Sequence, residues 1–301
     1  MTIYNQIATN KVKTILTMGV FLVIMSAFFY ILGRYFTDSP GGFFIIGFGI
    51  SLISTIGSYF YSDRIVLYTV GAKPANRKDH FDFYTVAENL SIADGIPMPR
   101  LYVIDDEAPN AFATGRDPKH AVVCATTGLL RIMDRSELEG VIAHELSHVK
   151  NYDTLLMSIV AVLVGTIAMV ADWVMRSLWW GGLRRDDDER EGANPLMLIL
   201  LLFALILTPI VATLIQLAIS RRREYLADAS GALLTRYPDG LARALEKIAG
   251  NPHAMHHATT STAHLFISNP FKKRGKASSW LVSLFSTHPP IEERIKILRS
   301  M

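Results

Sequence analysis

Two histidines and a glutamate lie within five residues, in the spacing His144-Glu145-x-x-His148. On an α-helix, residues four apart lie one turn apart on the same face, so both imidazoles can reach a single metal ion. Glu145 lies about 100° around the helix, where its carboxylate can act on a metal-activated water without binding the metal. This spacing predicts a hydrolytic zinc site.

A zinc site built on two histidines needs a third protein ligand. The extended motif with a third histidine is excluded, because Asn151 stands where that motif has glycine. Glu224 is the candidate, because two membrane crossings between His148 and Glu224 return the chain to the same face. Asp228 follows one turn later, where its carboxylate can orient a ligating imidazole. We therefore expect one Zn²⁺ ion, bound by His144, His148 and Glu224.

The elements around this site can be read from capping and periodicity. Asp134 and Glu137 have the spacing of a capping box, and apolar residues recur three and four positions apart after them, so the HExxH motif lies on a helix. An amphipathic segment is predicted at 81–90 and strands at 100–105 and 121–125. Further helices are predicted at 224–235, 241–249 and 291–298.

Composition indicates a membrane protein. Only 19% of the 301 residues are charged, against about 25% in soluble domains, and the mean hydropathy is +0.27. Uncharged stretches at 14–33, 41–62, 154–171 and 192–220 are long enough to cross a bilayer. Lysines and arginines flank most of them on one side, although the predicted external loop 172–191 also carries four arginines. This pattern predicts that both termini and the catalytic domain are cytoplasmic.

These features predict an α+β fold, mainly α, in which four transmembrane helices carry a domain with the HExxH motif on the cytoplasmic face. The expected parts are a helix pair at 1–62, catalytic segments at 63–153 and 221–301, and a membrane hairpin at 154–220. Thirty basic residues are balanced by 27 acidic ones, so nucleic-acid binding is not expected. A lone cysteine, Cys124, excludes an intrachain disulfide and a multi-cysteine metal site.

Several motifs together resemble the HtpX family of bacterial membrane-bound zinc metalloproteases, and the wider family that includes the CAAX prenyl proteases. They are NAFATG at 110–115, TTGLL at 126–130, HELSH at 144–148, REYLAD at 223–228 and THPP at 287–290. The resemblance implies a zincin-like catalytic domain in a multi-pass protein of the inner or plasma membrane. It also implies that the protein cleaves membrane or misfolded proteins in quality control.

Four further residues are candidates for substrate handling. Asn110 and Ala111 resemble the edge-strand element that binds the substrate backbone in many HExxH proteases. A hydrolytic site also needs a donor for the oxyanion that develops on the attacked carbonyl. His288, held by two following prolines, and Arg294, at the start of a helix, can supply it, and family members carry a similar His-Pro and arginine pair.

Two alternatives remain open on the sequence. A site-2-type intramembrane metalloprotease would take its third ligand from an Asp-Gly pair, and Asp239-Gly240 is such a pair, although it lies in a polar turn. A non-enzymatic membrane scaffold or transporter would carry HExxH by coincidence. That alternative expects ionisable residues within the spans, and the four uncharged stretches have almost none.

Overall fold

The computed structural model describes residues 3–36, 40–181, 221–271 and 289–301. In these ranges the chain is mainly helical, as predicted. The helices are α1 (Ile3–Phe36), α2 (Pro40–Thr69), α3 (Phe81–Asp94), α4 (Thr127–Ile132), α5 (Arg135–Lys150), α6 (Asp153–Gly181), α7 (Arg221–Thr235), α8 (Pro238–Gly250) and α9 (Ile291–Leu298). The strands are β1 (Lys73–Pro74), β2 (Arg100–Ile104), β3 (Ala111–Thr114) and β4 (Val122–Thr126), with 3₁₀ turns at Pro118–His120 and Ala263–Leu265.

Three helices in the described ranges are long and apolar enough to cross a membrane: Ile7–Arg34 within α1, Pro40–Thr69, and Asp153–Trp173 within α6. The first three predicted membrane segments are therefore confirmed as long apolar helices. These helices pack on one another through an apolar cluster that includes Phe21, Met25, Leu156, Ile159 and Leu163. The fourth predicted segment, 192–220, lies outside the described residues.

The four strands form one sheet in the order β1-β2-β4-β3. β2 and β4 are parallel, while β1 pairs antiparallel with β2 and β3 pairs antiparallel with β4. The two predicted strands are confirmed as β2 and β4, within one residue at each end. β3 lies at the edge of the sheet, where its residues are all buried.

Helix α5 carries the HExxH motif and packs on several neighbouring elements. Its predicted capping box is present: the Asp134 carboxylate accepts from the Glu137 N–H at 2.9 Å, and the Glu137 carboxylate accepts from the Asp134 N–H at 2.8 Å. The apolar residues of α5 pack with α3, the sheet and α8 in one core. The polar residues of the motif are buried too, which requires partners for each of them.

The close contact between α5 and α8 depends on Gly140. A Cβ at this position would lie 2.6 Å from the backbone nitrogen of Leu241 and 2.7 Å from its Cα. Both atoms belong to the backbone of α8, so neither helix can accommodate the Cβ without moving. The HExxH helix is thereby fixed against α8 at backbone distance.

We predict that Gly140→Ala lowers the free energy of unfolding by about 1–3 kcal/mol, because the added methyl group forces α5 and α8 apart. Thermal unfolding of the detergent-purified protein measures the effect as a lower Tm. The control is Gly250→Ala, where no atom lies within 4 Å of the added Cβ. If Gly140→Ala unfolds at the same temperature as Gly250→Ala, the close contact does not constrain the helices.

Candidate active site

Helices α5 and α7 bring His144, His148 and Glu224 together, as the sequence predicts. The two Nε2 atoms lie 3.2 Å apart, the His148 Nε2 lies 3.5 Å from one Glu224 oxygen, and the His144 Nε2 lies 3.9 Å from the other. In a tetrahedral site with bonds of about 2.0–2.1 Å, ligand atoms are separated by about 3.3 Å. The three side chains therefore fit a common metal ion, and all three are buried.

Gly231 permits this convergence. It lies two turns after Glu224 on the same face of α7, and a Cβ there would lie 3.1 Å from the backbone nitrogen of His144. Because α7 approaches α5 this closely, the short carboxylate side chain of Glu224 reaches the imidazoles of the facing helix.

Asp228 binds the outer nitrogen of His144, at 2.9 Å between Oδ1 and Nδ1. Arg294, fully buried, donates to both oxygens of Asp228, at 2.8 and 2.7 Å. Burial alone would raise the pKa of Asp228, but the charge and hydrogen bonds of Arg294 outweigh it and lower that pKa to about 2. An ionised Asp228 accepts the Nδ1–H of His144, which leaves the Nε2 lone pair for a metal.

Asp153, which the sequence analysis missed, has the same relation to His148. Its Oδ2 lies 3.1 Å from the His148 Nδ1, and the residue is 2% exposed. Burial opposes a charged His148, but the hydrogen bond with Asp153 and the charges of Glu224, Asp153 and Glu145 outweigh it and raise the pKa of His148 to about 9. In the sequence, Asp153 is distinguished only by its position as the last charged residue before the third uncharged stretch.

Glu145 lies beside the three donors and is 2% exposed. Burial raises its pKa to about 7, although the nearby charge of His148 and a hydrogen bond from the backbone of Ala113 in β3 partly offset this. A carboxyl group with a pKa near neutrality can both accept and release a proton at physiological pH. The residue therefore has the properties of a general acid and base.

The predicted substrate-binding pair holds a segment of the chain itself in this structure. The Asn110 amide donates to the Ser268 carbonyl at 2.9 Å, and its side-chain oxygen accepts from the Ser268 N–H at 3.3 Å. The Ala111 carbonyl accepts from the Ile267 N–H at 2.9 Å. Both predicted residues are buried at the start of edge strand β3. Their role toward a substrate stays a prediction.

The remaining predicted residues differ in how they relate to the site. Beyond its bonds to Asp228, Arg294 donates to the Ile267 carbonyl at 3.1 Å and lies 3.8 Å from Glu224. Arg294 therefore contacts residues that surround the metal donors.

His288 lies outside the described residues. Asp239, the alternative ligand, lies in the first turn of α8 with its carboxylate 3.7 Å from Arg243. It does not belong to the donor cluster found among the described residues.

A buried HExxH pair, a glutamate from a second helix and long apolar helices define the class of membrane-bound metalloproteases. The family model of Peptidase family M48 matches residues 81–301, and the chain belongs to this family. It is 47% identical to a "Protease HtpX homolog" of Tropheryma whipplei strain Twist, over 99% of this chain and 98% of the relative. It is also 47% identical to that of Thermoanaerobacter pseudethanolicus, over 100% and 98%. The resemblance to the HtpX family is thus confirmed.

One solved structure is similar to the chain, at a lower sequence identity than these relatives. The crystal structure of S. mikatae Ste24p aligns with 98% of this chain and 67% of that chain, at 19% identity and a TM-score of 0.48.

We predict that the wild-type protein binds one divalent ion per chain and that Glu224→Gln weakens this binding by more than about 100-fold. The amide keeps the shape of the side chain but removes the charge of the third donor. Metal analysis after dialysis against a weak chelator measures the loss. Asp239→Asn, the same change at the alternative ligand, should keep its metal. If Asp239→Asn loses metal and Glu224→Gln retains it, the site is not the one described.

Proposed function

We propose that the protein is a zinc-dependent endopeptidase that cleaves membrane or misfolded proteins at the cytoplasmic face of the membrane, in quality control. The observation that carries this proposal is the donor set, in which His144, His148 and Glu224 converge at near-tetrahedral spacing. Two imidazoles with one carboxylate are typical of catalytic zinc sites, which keep a fourth position open for water. The donor set thus supports hydrolysis.

Each residue of the site has a role in the proposed reaction. When bound, zinc lowers the pKa of a coordinated water to about 7 and polarises a substrate carbonyl. Glu145 accepts a proton from the attacking water and delivers it to the leaving amine, as its pKa of about 7 allows. Asp228 holds the ring of His144 in the tautomer that binds through Nε2.

The proposed location rests on contacts at one end of the membrane helices. Asn10, near the start of α1, lies 2.7 Å from Asp153 at the start of α6, and Arg223 at the start of α7 lies beside both. These contacts support a site on the same side of the membrane as the N-terminal end of α1. With the lysines that precede the first apolar stretch, this favours the cytoplasmic side and a fourth crossing at 192–220.

The alternatives are less well supported. Membership of a peptidase family argues against a non-enzymatic scaffold. The site-2-type arrangement requires Asp239 beside the two histidines, whereas its carboxylate pairs with Arg243 on the surface of α8. Glu224 supplies the donor that this alternative would assign to Asp239.

We predict that Glu145→Gln keeps its zinc and lowers kcat for a model membrane substrate by about 10²–10⁴-fold, because the amide cannot carry the proton. Zinc content and turnover are measured on the same detergent preparation. Glu139→Gln, the same change on a half-exposed side chain of α5, is the matched control and should retain wild-type turnover. Turnover by Glu145→Gln at the rate of Glu139→Gln would contradict the mechanism.

The oxyanion donor is proposed to be His288 rather than Arg294. The guanidinium of Arg294 already binds Asp228 and the Ile267 carbonyl, so its contacts favour a role in holding Asp228. His288 is followed by two prolines that fix its backbone direction, and its imidazole offers the donor N–H that the developing charge requires.

We predict that His288→Ala lowers kcat by about 10²-fold or more, with zinc content and Tm unchanged. Steady-state kinetics measure this, and His253→Ala, at an exposed histidine, is the control. A variant that loses zinc would assign His288 to the metal instead, and one with wild-type kcat would remove it from the site.

A further inference from the structure

A buried polar cluster connects α1 to the metal donors. It consists of Asn10, Asp153, Arg223 and His148, which belong to four different helices. The Asp153 Oδ2 binds the outer nitrogen of His148 at 3.1 Å. The Asp153 Oδ1 accepts from the Asn10 amide at 2.7 Å and from Arg223 at 3.4 Å. One carboxylate therefore joins a metal donor to the N-terminal helix.

Asn10 also connects the two helices that supply the metal donors. Its side-chain oxygen accepts from Arg223 at 3.2 Å, and Arg223 precedes Glu224 on α7. Its amide donates to the Asn151 carbonyl at 3.0 Å, at the end of α5. Asn10 is 3% exposed, and a polar group buried this deeply is costly unless each of its hydrogen bonds is made. Asn10 of α1 therefore contacts the end of α5 and the start of α7, the two helices that supply the metal donors.

A second, independent feature lies at the same junction. Tyr152, between α5 and α6, has a φ of 60°, which is strained for a residue with a side chain. This left-handed residue turns the chain so that Asp153 faces back toward His148. Two neighbouring residues of α1 hold the turn: Asn10 binds the Asn151 carbonyl, and the Lys11 ammonium lies 4.6 Å from the centre of the Tyr152 ring.

We infer that Asn10 is a positioning residue of the metal site, acting through Asp153 to hold His148 in its metal-binding orientation. The inference rests on the proposed zinc site and adds that the first membrane helix is part of it. Asp153 keeps the proton of His148 on Nδ1 and the lone pair on Nε2, and Asn10 fixes Asp153 by occupying its other oxygen. Removal of either side chain therefore weakens metal binding although no metal ligand is substituted.

The test measures Zn²⁺ affinity of the full-length, detergent-purified protein by competition with a chelator. Asp153→Asn should weaken Zn²⁺ binding by about 10–100-fold, and Asn10→Ala by about fivefold, the effect of losing the one hydrogen bond that Asn10 donates to Asp153. The control is Ser26→Ala, also buried in α1, whose hydroxyl binds the carbonyl of Leu22 one turn earlier. Ser26→Ala should bind Zn²⁺ as the wild type does. The metal-free Tm of each variant shows whether the fold is intact.

A double-mutant cycle separates positioning from a general loss of stability. Because Asn10 acts through Asp153, Asn10→Ala should have no further effect on Zn²⁺ affinity in the Asp153→Asn background. Additive effects would overturn the inference. Co²⁺ bound in place of Zn²⁺ gives a second readout, because the visible absorption of Co²⁺ depends on ligand geometry. Its bands should shift in Asn10→Ala and stay unchanged in Ser26→Ala.

The outcomes distinguish the two proposals. If the wild type binds no Zn²⁺, the proposed function fails and the inference fails with it. If the wild type binds Zn²⁺ and Asn10→Ala binds it as tightly as Ser26→Ala, the inference alone is overturned. Should Asn10→Ala fail to fold, Asn10→Leu decides instead: it keeps about the same side-chain volume but cannot donate to Asp153, and wild-type affinity in that variant would overturn the inference.

Discussion

The arrangement of the catalytic domain depends on two imidazole nitrogens that face each other at 3.2 Å in the protein interior. Two nitrogen lone pairs at this distance repel unless a cation or a proton lies between them. Both rings are held in place from outside, since His144 binds Asp228 and His148 binds Asp153. These carboxylates prevent the rings from turning away. The fold therefore maintains a local arrangement that a metal ion stabilises.

Each of the two histidines binds a carboxylate that in turn contacts an arginine. His144 binds Asp228, which binds Arg294, and His148 binds Asp153, which contacts Arg223. With Glu145 and Glu224, four buried carboxylates face the buried guanidinium groups of Arg223 and Arg294, so the carboxylates outnumber the guanidinium groups around the donors. A bound divalent cation would offset this excess of negative charge. Without it, the nearby carboxylates favour a proton on His148, in keeping with the raised pKa of that imidazole.

Sequence reasoning found the parts of the site that local patterns encode. HExxH, the capping box at Asp134 and the strands β2 and β4 depend on neighbours along the chain, so periodicity and spacing predict them. Glu224 and Asp228 required one topological step. Asn10 and Arg223 could not be found this way, because they contact Asp153 from 143 and 70 residues away. Arg223 is also one of three consecutive arginines, which resemble a solvated membrane flank, and only packing distinguishes it.

The membrane helices are part of the catalytic structure as well as its anchor. Of the most apolar part of α6, 67% is buried inside the protein, against 33% for α1 and 22% for α2, so α6 is the central helix of the described bundle. It also contacts the catalytic domain: Ser158 binds Thr114 of β3 at 2.7 Å, and the Met157 carbonyl lies 3.0 Å from His264. Because α6 begins at Asp153, one helix carries the carboxylate that binds His148, contacts the edge strand of the sheet and forms the centre of the bundle. The helix that is most buried in the bundle therefore also contacts His148 and the sheet, so the apolar segments contribute to the site as well as anchoring it.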